Sequence, residues 1–208
     1  MPIKINDNKG FDAFAMIVDI NGFTKMVSEP EANAIAQYVG DILGGGVAAV
    51  EKNNGNVVGF MGDAFLAFIE NADEVFKCCV SIANDLDKTC EYISSNSSAF
   101  PFNPKGPSLK IGIEYGYIDV SNIQSNFLGK QKLFISEAIN YASRISNAGS
   151  GNRCLLGPSA YRMGLNKYTY VLGPNEIRGK CGEPNYIYYQ LSLDDIWREG
   201  DSEESFWG

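Results

Sequence analysis

The chain has 208 residues, 45% of them hydrophobic and 20% charged, so it is long enough to form one substantial globular core. Its formal net charge of -8 argues against nucleic acid or an anionic membrane surface as the main partner. The chain has no histidine, which excludes Ser-His-Asp and Cys-His nucleophile chemistry, His-ligated zinc and histidine general bases. Catalysis would therefore depend on carboxylates, Arg, Lys, Asn and metal ions.

Cysteine usage and the apolar runs bear on where the chain resides. The five cysteines form no Cys-x-x-Cys motif, and their odd number favours reduced thiols. The start of the chain, MPIKINDNKG, lacks the apolar segment of a signal peptide. No run approaches the roughly 18 apolar residues that a membrane span needs. We therefore expect a cytoplasmic protein without a membrane segment.

The apolar patterns predict alternating strands and helices. In order, they are a strand at 13–20, a helix at 31–54, a hairpin at 55–69, a helix at 73–93, a loop at 94–107 and a strand at 108–120. This is β-α-β-β-α-β, the ferredoxin-like split arrangement. The extra C-terminal elements are helices at 137–149 and 159–165 and strands at 152–157, 169–173 and 185–191. We expect one α+β domain with a core at about 13–190 and an acidic tail at 194–208.

Two aspartates, Asp19 and Asp63, each end a short apolar run. A carboxylate at the end of a buried strand is costly unless something pairs with it. In the predicted strand order the two residues are neighbours, and two adjacent carboxylates repel unless a divalent cation neutralises them. The pattern therefore favours a two-metal site for displacement at phosphorus. The alternative is that Asp19 caps a turn and Asp63 serves the hairpin.

Two further segments carry groups that suit phosphate binding. The loop after Asp19 contains Gly22, Phe23 and Thr24, and backbone amides ahead of a helix can hold phosphates. Asn140 and Arg144 are four residues apart, so both side chains project from one face of the predicted helix. An amide can fix a ribose oxygen, and a guanidinium can neutralise charge on a phosphate. The alternative for this pair is an ordinary solvated helix face.

The segments VDINGFT, GFMGDAFLAF, GIEYG, INYASR and IRGKCG occur in the order and spacing of class III nucleotidyl cyclase catalytic domains. The chain resembles that family over about residues 13–190. The resemblance implies that Asp19, Asp63 and the carbonyl of Ile20 bind two divalent cations, Mg²⁺ or Mn²⁺. It also implies that the backbone of residues 22–24 holds phosphates of a nucleoside triphosphate.

The same resemblance assigns the remaining groups to the substrate. Asn140 would orient the ribose, Arg144 would stabilise the transition state and Lys180, in the Gly-rich segment IRGKCG, would bind phosphate. In this family the sites form between two cyclase domains. The resemblance therefore implies a head-to-tail homodimer with two shared active sites.

The chain departs from the family where the base is recognised. Adenylate cyclases carry a Lys in the strand before the second metal-binding Asp and a Thr or Asp before the Asn-containing helix, whereas guanylate cyclases carry Glu and Cys. The matching positions here are Gly59 and Leu133, neither of which offers a side-chain hydrogen bond to a purine. A compact cyclase of this kind resembles the bacterial pyrimidine cyclases of Pycsar antiphage systems. These make cyclic UMP or cyclic CMP, which activates a partner effector, and we favour UTP over CTP.

Three other interpretations remain open from the sequence. A diguanylate cyclase or polymerase-palm relative would share the core and the metal aspartates, but the hairpin reads GFMGDAF rather than GGDEF-like. A non-catalytic cyclase-like nucleotide sensor would have no need of both aspartates. An adenylate cyclase could recognise adenine with other residues.

Overall fold

The computed structural model describes residues 1–23, 32–96, 108–149, 151–168 and 171–193. Thr24, most of the predicted loop at 94–107 and the acidic tail at 194–208 lie outside these ranges.

The described residues form strands and helices of an α+β domain. The strands are β1 Phe11–Ile20, β2 Asn56–Met61, β3 Ala64–Ile69, β4 Leu109–Ser125, β5 Gly129–Ile135, β6 Arg153–Leu156, β7 Val171–Ile177 and β8 Tyr186–Ser192. The helices are α1 Ala32–Lys52, α2 Ala72–Ser95, α3 Glu137–Ser146 and α4 Pro158–Arg162, followed by a 3₁₀ turn at Leu165–Lys167. Across these ranges no helix combines the length and the hydropathy that crossing a membrane requires.

The strands form one sheet in the order β2-β3-β1-β4-β6-β8-β7, with β5 paired to β4. Strand β1 pairs antiparallel with both β3 and β4, and β2 pairs antiparallel with β3. Strand β6 pairs parallel to β4. The order β2-β3-β1-β4 is that of a βαββαβ unit, so the ferredoxin-like prediction is confirmed. It places β1, which ends at Asp19 and Ile20, directly between the hairpin that carries Asp63 and strand β4.

Alternation along β1 divides the core between the two faces of the sheet. Phe14, Met16, Val18 and Ile20 point to the face that α1 and α2 cover, in the larger cluster of buried side chains. The helix at 32–52 continues through its three adjacent glycines because this apolar face is buried. The opposite face of β1 packs in a second, smaller cluster with side chains from α3 and from the N-terminal segment.

Helix α3 lies unusually close to strand β4. A Cβ placed on Gly112 would meet the Ala142 carbonyl oxygen at 2.0 Å, and one on Gly116 would meet the Ala138 Cβ at 3.2 Å. Glycine is therefore required at Gly112 for the helix to sit at this depth. The contact fixes the position of the helix that carries Asn140 and Arg144.

Strands β4 and β5 form a long hairpin that the sequence patterns miss. The first part of β4 pairs with β1, and residues 119–125 pair with β5. The prediction ended β4 at residue 120 and assigned no strand to β5. Most of β5 is exposed, so it lacks the alternation that a half-buried strand shows.

Candidate active site

The structure brings Asp19 and Asp63 together at the end of β1. Asp63 follows Gly62 in a two-residue turn between β2 and β3, and Gly62 has the positive φ of 66° that such turns require. Asp19 is paired with Ala64 in the β1–β3 ladder, and the Ile20 amide donates to the Asp63 carbonyl oxygen at 3.2 Å. The charge of Asp19 acts on the Asp63 carboxyl group, so the two acidic side chains are neighbours.

The charge at this acidic pair is only partly balanced within the chain. Partial burial, followed by the neighbouring Asp19, raises the pKa of Asp63 above its ordinary value, although Lys110 opposes this effect. Lys110 lies opposite Asp19 in the β1–β4 ladder, with its Nζ 3.3 Å from Asp19 Oδ2. The sequence interpretation missed Lys110, whose only signal is a single cation in the apolar segment SLKIGI.

The acidic pair has the donor chemistry of a divalent cation site. Carboxylate oxygens and a backbone carbonyl such as that of Ile20 are the ligands that Mg²⁺ and Mn²⁺ prefer. Within the described ranges no group of three or more Asp, Glu, Cys or His side chains forms a metal-binding cluster. Asp19 and Asp63 therefore fit a site that needs further oxygen ligands from a substrate or from water.

The described part of the loop after Asp19 turns at Gly22. Gly22 has a φ of 80°, and a Cβ at this residue would meet nothing within 4 Å. Phe23 packs against the larger core cluster, which anchors the loop. The third residue of the predicted loop, Thr24, is not among the described residues.

The α3 helix carries the other predicted groups, and it places them beside two cavities. Asn140 is exposed and lines a cavity of about 590 Å³ together with Glu114 and Tyr141. Arg144 lines a second cavity of about 240 Å³. The two side chains share a helix face, as their spacing predicts, but each contributes to a different cavity.

The cavity at Arg144 is cationic. Arg178 and Lys180 lie in its wall beside Arg144, and Glu183 contributes a carboxylate. The Arg144 guanidinium donates to the Glu183 carboxylate, and the two side chains are 37% and 27% exposed. The sequence interpretation missed Glu183, whose contact with Arg144 spans 39 residues along the chain. Neither Asp19 nor Asp63 lines this cavity.

The two positions assigned to base recognition have no polar side chain and lie on different strands. Gly59 sits where the β2–β3 register shifts, and a Cβ there would meet nothing within 4 Å. Leu133 is on β5 opposite Ser121, and its side chain is 44% exposed. Neither residue contributes a side-chain hydrogen bond, so any hydrogen bond to a base must come from elsewhere.

Comparison with known protein families assigns the chain to a family. The family model described as the adenylate and guanylate cyclase catalytic domain matches residues 8–192. The chain belongs to this cyclase family. The matched range includes the acidic pair, the α3 helix and the cationic cavity. A comparison with curated proteins found no match.

Solved structures of cyclases share the fold at low sequence identity. The guanylyl cyclase Cya2 matches with a TM-score of 0.74 and 16% identity, over 90% of this chain and 100% of that one. The adenylyl cyclase CyaB from P. aeruginosa matches with a TM-score of 0.68 and 20% identity, over 88% and 94% of the two chains. The guanylate cyclase domain of RhGC from Catenaria anguillulae, solved with GTP, has a TM-score of 0.69 and 18% identity, over 88% and 98%. Identities this low support the fold of the cyclase domain alone.

Proposed function

We propose that this cyclase domain converts a nucleoside triphosphate to its 3′,5′-cyclic monophosphate and pyrophosphate. The observation that carries the proposal is the convergence of Asp19 and Asp63 at the end of β1, beside a loop that turns at Gly22. The chain's membership of the cyclase family is consistent with this reaction.

In this proposal the acidic pair holds two divalent cations, Mg²⁺ or Mn²⁺. Asp19, Asp63 and the Ile20 carbonyl would be their protein ligands. When bound, such cations lower the pKa of a hydroxyl group and neutralise phosphate charge, which suits a site without histidine. The backbone at Gly22 and Phe23 would hold phosphates through its amide groups.

In this proposal, helix α3 and the cationic cavity supply the groups that act on the other side of the nucleotide. Asn140 would hold the ribose so that its 3′-oxygen faces the α-phosphorus. Arg144 would neutralise the charge that spreads over the α-phosphate oxygens, and Lys180 would bind the departing pyrophosphate. Asn140 and Arg144 are on one rigid helix, which keeps these two contacts in register.

We infer that the active site is shared between two copies of the chain in a head-to-tail homodimer. Neither Asp19 nor Asp63 lines the cationic cavity, and the resemblance to the cyclase family implies that the acidic pair of one chain works with the cavity of the other. The β4–β5 hairpin offers an apolar surface for such a contact. Its most exposed apolar side chains are Ile123, Phe127, Leu128 and Ile135, which are 56%, 94%, 64% and 56% exposed.

We propose a pyrimidine triphosphate as the substrate, UTP ahead of CTP. Gly59 and Leu133 lack the hydrogen-bonding groups with which a site selects a purine edge. The resemblance to the pyrimidine cyclases of Pycsar systems supports the same base. It also supports a role in antiphage signalling through a separate cyclic-nucleotide effector. The names guanylyl and adenylyl cyclase, borne by the similar solved structures, favour a purine triphosphate as the alternative.

Incubation of the purified chain with each of the four nucleoside triphosphates and Mg²⁺ or Mn²⁺ tests the proposal. Mass spectrometry should detect a cyclic pyrimidine monophosphate, and Asp63→Asn, as the matched control, should form none. A cyclic purine monophosphate would support the proposed cyclisation reaction but contradict the proposed pyrimidine base. A cyclic dinucleotide would reject cyclisation within one nucleotide. Nucleotide binding without product from any triphosphate would favour the sensor.

A further inference from the structure

The cationic cavity contains a carboxylate in a place where negative charge opposes phosphate binding. Glu183 lines the cavity together with Arg144, Arg178 and Lys180. A carboxylate beside a polyphosphate repels it and weakens its binding, so the presence of Glu183 needs another explanation. The contacts of Glu183 provide that explanation.

Glu183 closes the turn that carries Lys180. Its backbone amide donates to the Lys180 carbonyl oxygen at 2.8 Å, and its Oε2 accepts from the Lys180 amide at 3.3 Å. Gly182 has a φ of 86°, which is the conformation that the third residue of a type II turn requires. One residue thus satisfies both backbone groups of Lys180, and this fixes the start of the Lys180 side chain.

The same carboxylate holds the Arg144 guanidinium. Glu183 Oε1 accepts from Arg144 Nη2, and its Oε2 also accepts from the Tyr186 hydroxyl at 3.2 Å. A guanidinium has five N–H donors in a planar fork, so one edge can bond to Glu183 while the others remain free for a phosphate. The carboxylate therefore restricts the orientation of Arg144 without using all of its donors.

A second contact joins the two elements that Glu183 connects. The Tyr186 ring packs edge-on against Tyr141 of α3, with 5.0 Å between ring centroids. The Tyr141 hydroxyl donates to the Ile187 carbonyl oxygen at 2.8 Å and accepts from the Ile187 amide at 2.9 Å. Helix α3 is therefore fixed to strand β8, and Glu183 extends this connection to the Arg144 side chain and the Lys180 turn.

We propose that Glu183 is a positioning residue that orients the Arg144 guanidinium for the transition state. This inference rests on the proposed cyclase function. Displacement of a catalytic group by about 1 Å can lower a rate by about 10²-fold. Loss of the Glu183 carboxylate should therefore lower kcat by about 10- to 100-fold. KM should change by less than about threefold, because the group that Glu183 orients acts on the transition state.

A double-mutant cycle on the full chain tests this inference. The variants are Glu183→Ala, Arg144→Ala and the double variant, with kcat and KM measured for the triphosphate that the wild-type chain cyclises. If Glu183 acts through Arg144, then Glu183→Ala should lower kcat in the wild-type background and change it by less than about threefold in the Arg144→Ala background. Glu183→Gln keeps one oxygen acceptor, so it should fall between wild type and Glu183→Ala.

The control is Glu176→Ala. Glu176 is on β7 in the same hairpin and accepts from the Asn185 side chain, but it does not line the cavity. It should retain wild-type kcat, and thermal unfolding of each variant should show that the fold is kept. If Glu183→Ala does not fold, Glu183→Gln replaces it in the cycle.

Three outcomes would overturn the positioning role. They are an unchanged or raised kcat in Glu183→Ala, an equal loss in both Arg144 backgrounds, and a loss confined to KM. Failure of the proposed cyclase function would be recognised separately, because the wild-type chain would then form no cyclic mononucleotide. Full activity of Arg144→Ala would remove the transition-state role of Arg144, and with it the positioning role of Glu183.

Discussion

Lys110 faces Asp19 across the β1–β4 ladder, with its Nζ 3.3 Å from Asp19 Oδ2. The Lys110 side chain is 15% exposed and that of Asp19 is 21% exposed, so solvent only partly screens the pair. Asp63 lies on the other side of Asp19 and also feels the charge of Lys110. An ammonium group thus supplies part of the positive charge that two adjacent carboxylates need in the absence of a divalent cation.

This relationship predicts that Lys110→Met binds divalent cations more tightly than the wild-type chain does. Lys110 competes for the Asp19 carboxylate, and a partly exposed pair of this kind is worth up to about 1 kcal/mol. The dissociation constant for Mn²⁺ should therefore fall by up to about fivefold. Isothermal titration calorimetry without nucleotide measures it.

The matched control for Lys110→Met is Lys130→Met. Lys130 pairs with Asp7 at an exposed site on the β4–β5 hairpin, so its removal should leave Mn²⁺ binding unchanged. Equal affinities in wild type and Lys110→Met would show that Lys110 does not compete with the cation.

The contacts of Arg144 predict a specific loss in turnover. Charge-stabilising groups are typically worth about 3–4 kcal/mol in the transition state, so Arg144→Ala should lower kcat by about 10²- to 10³-fold. The side chain is 37% exposed and lies at the cavity wall, so the fold should be kept. Steady-state kinetics with the preferred triphosphate and a thermal unfolding curve measure both quantities. Wild-type turnover in this variant would exclude Arg144 from the mechanism.

The position of the acidic pair follows from the sequence, because it depends only on strand order. A βαββαβ unit places β1 beside the central hairpin, and the Gly62-Asp63 dipeptide marks the hairpin turn. The contacts of Lys110 and Glu183 cannot be predicted from strand order. Lys110 meets Asp19 only if the β1–β4 register is known, and Glu183 meets Arg144 only through the geometry of a loop.

The β4–β5 hairpin is a part of the fold that the sequence patterns could not predict. Strand β5, with the sequence GKQKLFI, is mostly exposed and pairs with a single neighbour, so burial imposes no alternation on its residues. Its pairing is specified by the turn at Gly129, which has a φ of 71°, and by backbone hydrogen bonds. The patterns that reveal β1 and β3 reflect burial, and they are absent where a strand forms an exposed arm.

A shared active site predicts complementation between two inactive variants. Asp19→Ala removes a cation ligand and Arg144→Ala removes the transition-state contact, so a homodimer of either has no complete site. Each heterodimer has one intact site of two, so the purified heterodimer should have about one half of wild-type activity. Co-expression with two affinity tags, followed by product analysis of the doubly purified dimer, measures this. Purified heterodimers without activity would place the whole site within one chain.

Glu114 predicts a pH dependence of stability. Its carboxylate is 5% exposed and accepts from the Tyr115 and Ala160 amides at 2.7 Å each. Burial raises the pKa of Glu114 above its ordinary value, although these backbone donors and the charge of Arg162 act in the opposite direction. The folded chain therefore holds this proton more tightly than the unfolded chain does.

The sign of the effect follows from linkage. The stability contributed by a raised carboxyl pKa is present below the unfolded value of about 4.3 and is lost as the pH rises through the folded value. Glu114→Gln removes the titration. The free energy of unfolding of the wild-type chain, relative to Glu114→Gln, should therefore fall as the pH rises from about 4 to about 7. Urea unfolding across this range measures it, with the exposed Glu91→Gln as control. A difference between wild type and Glu114→Gln that stays constant with pH would contradict the prediction, because it would mean that Glu114 releases its proton equally readily in both states.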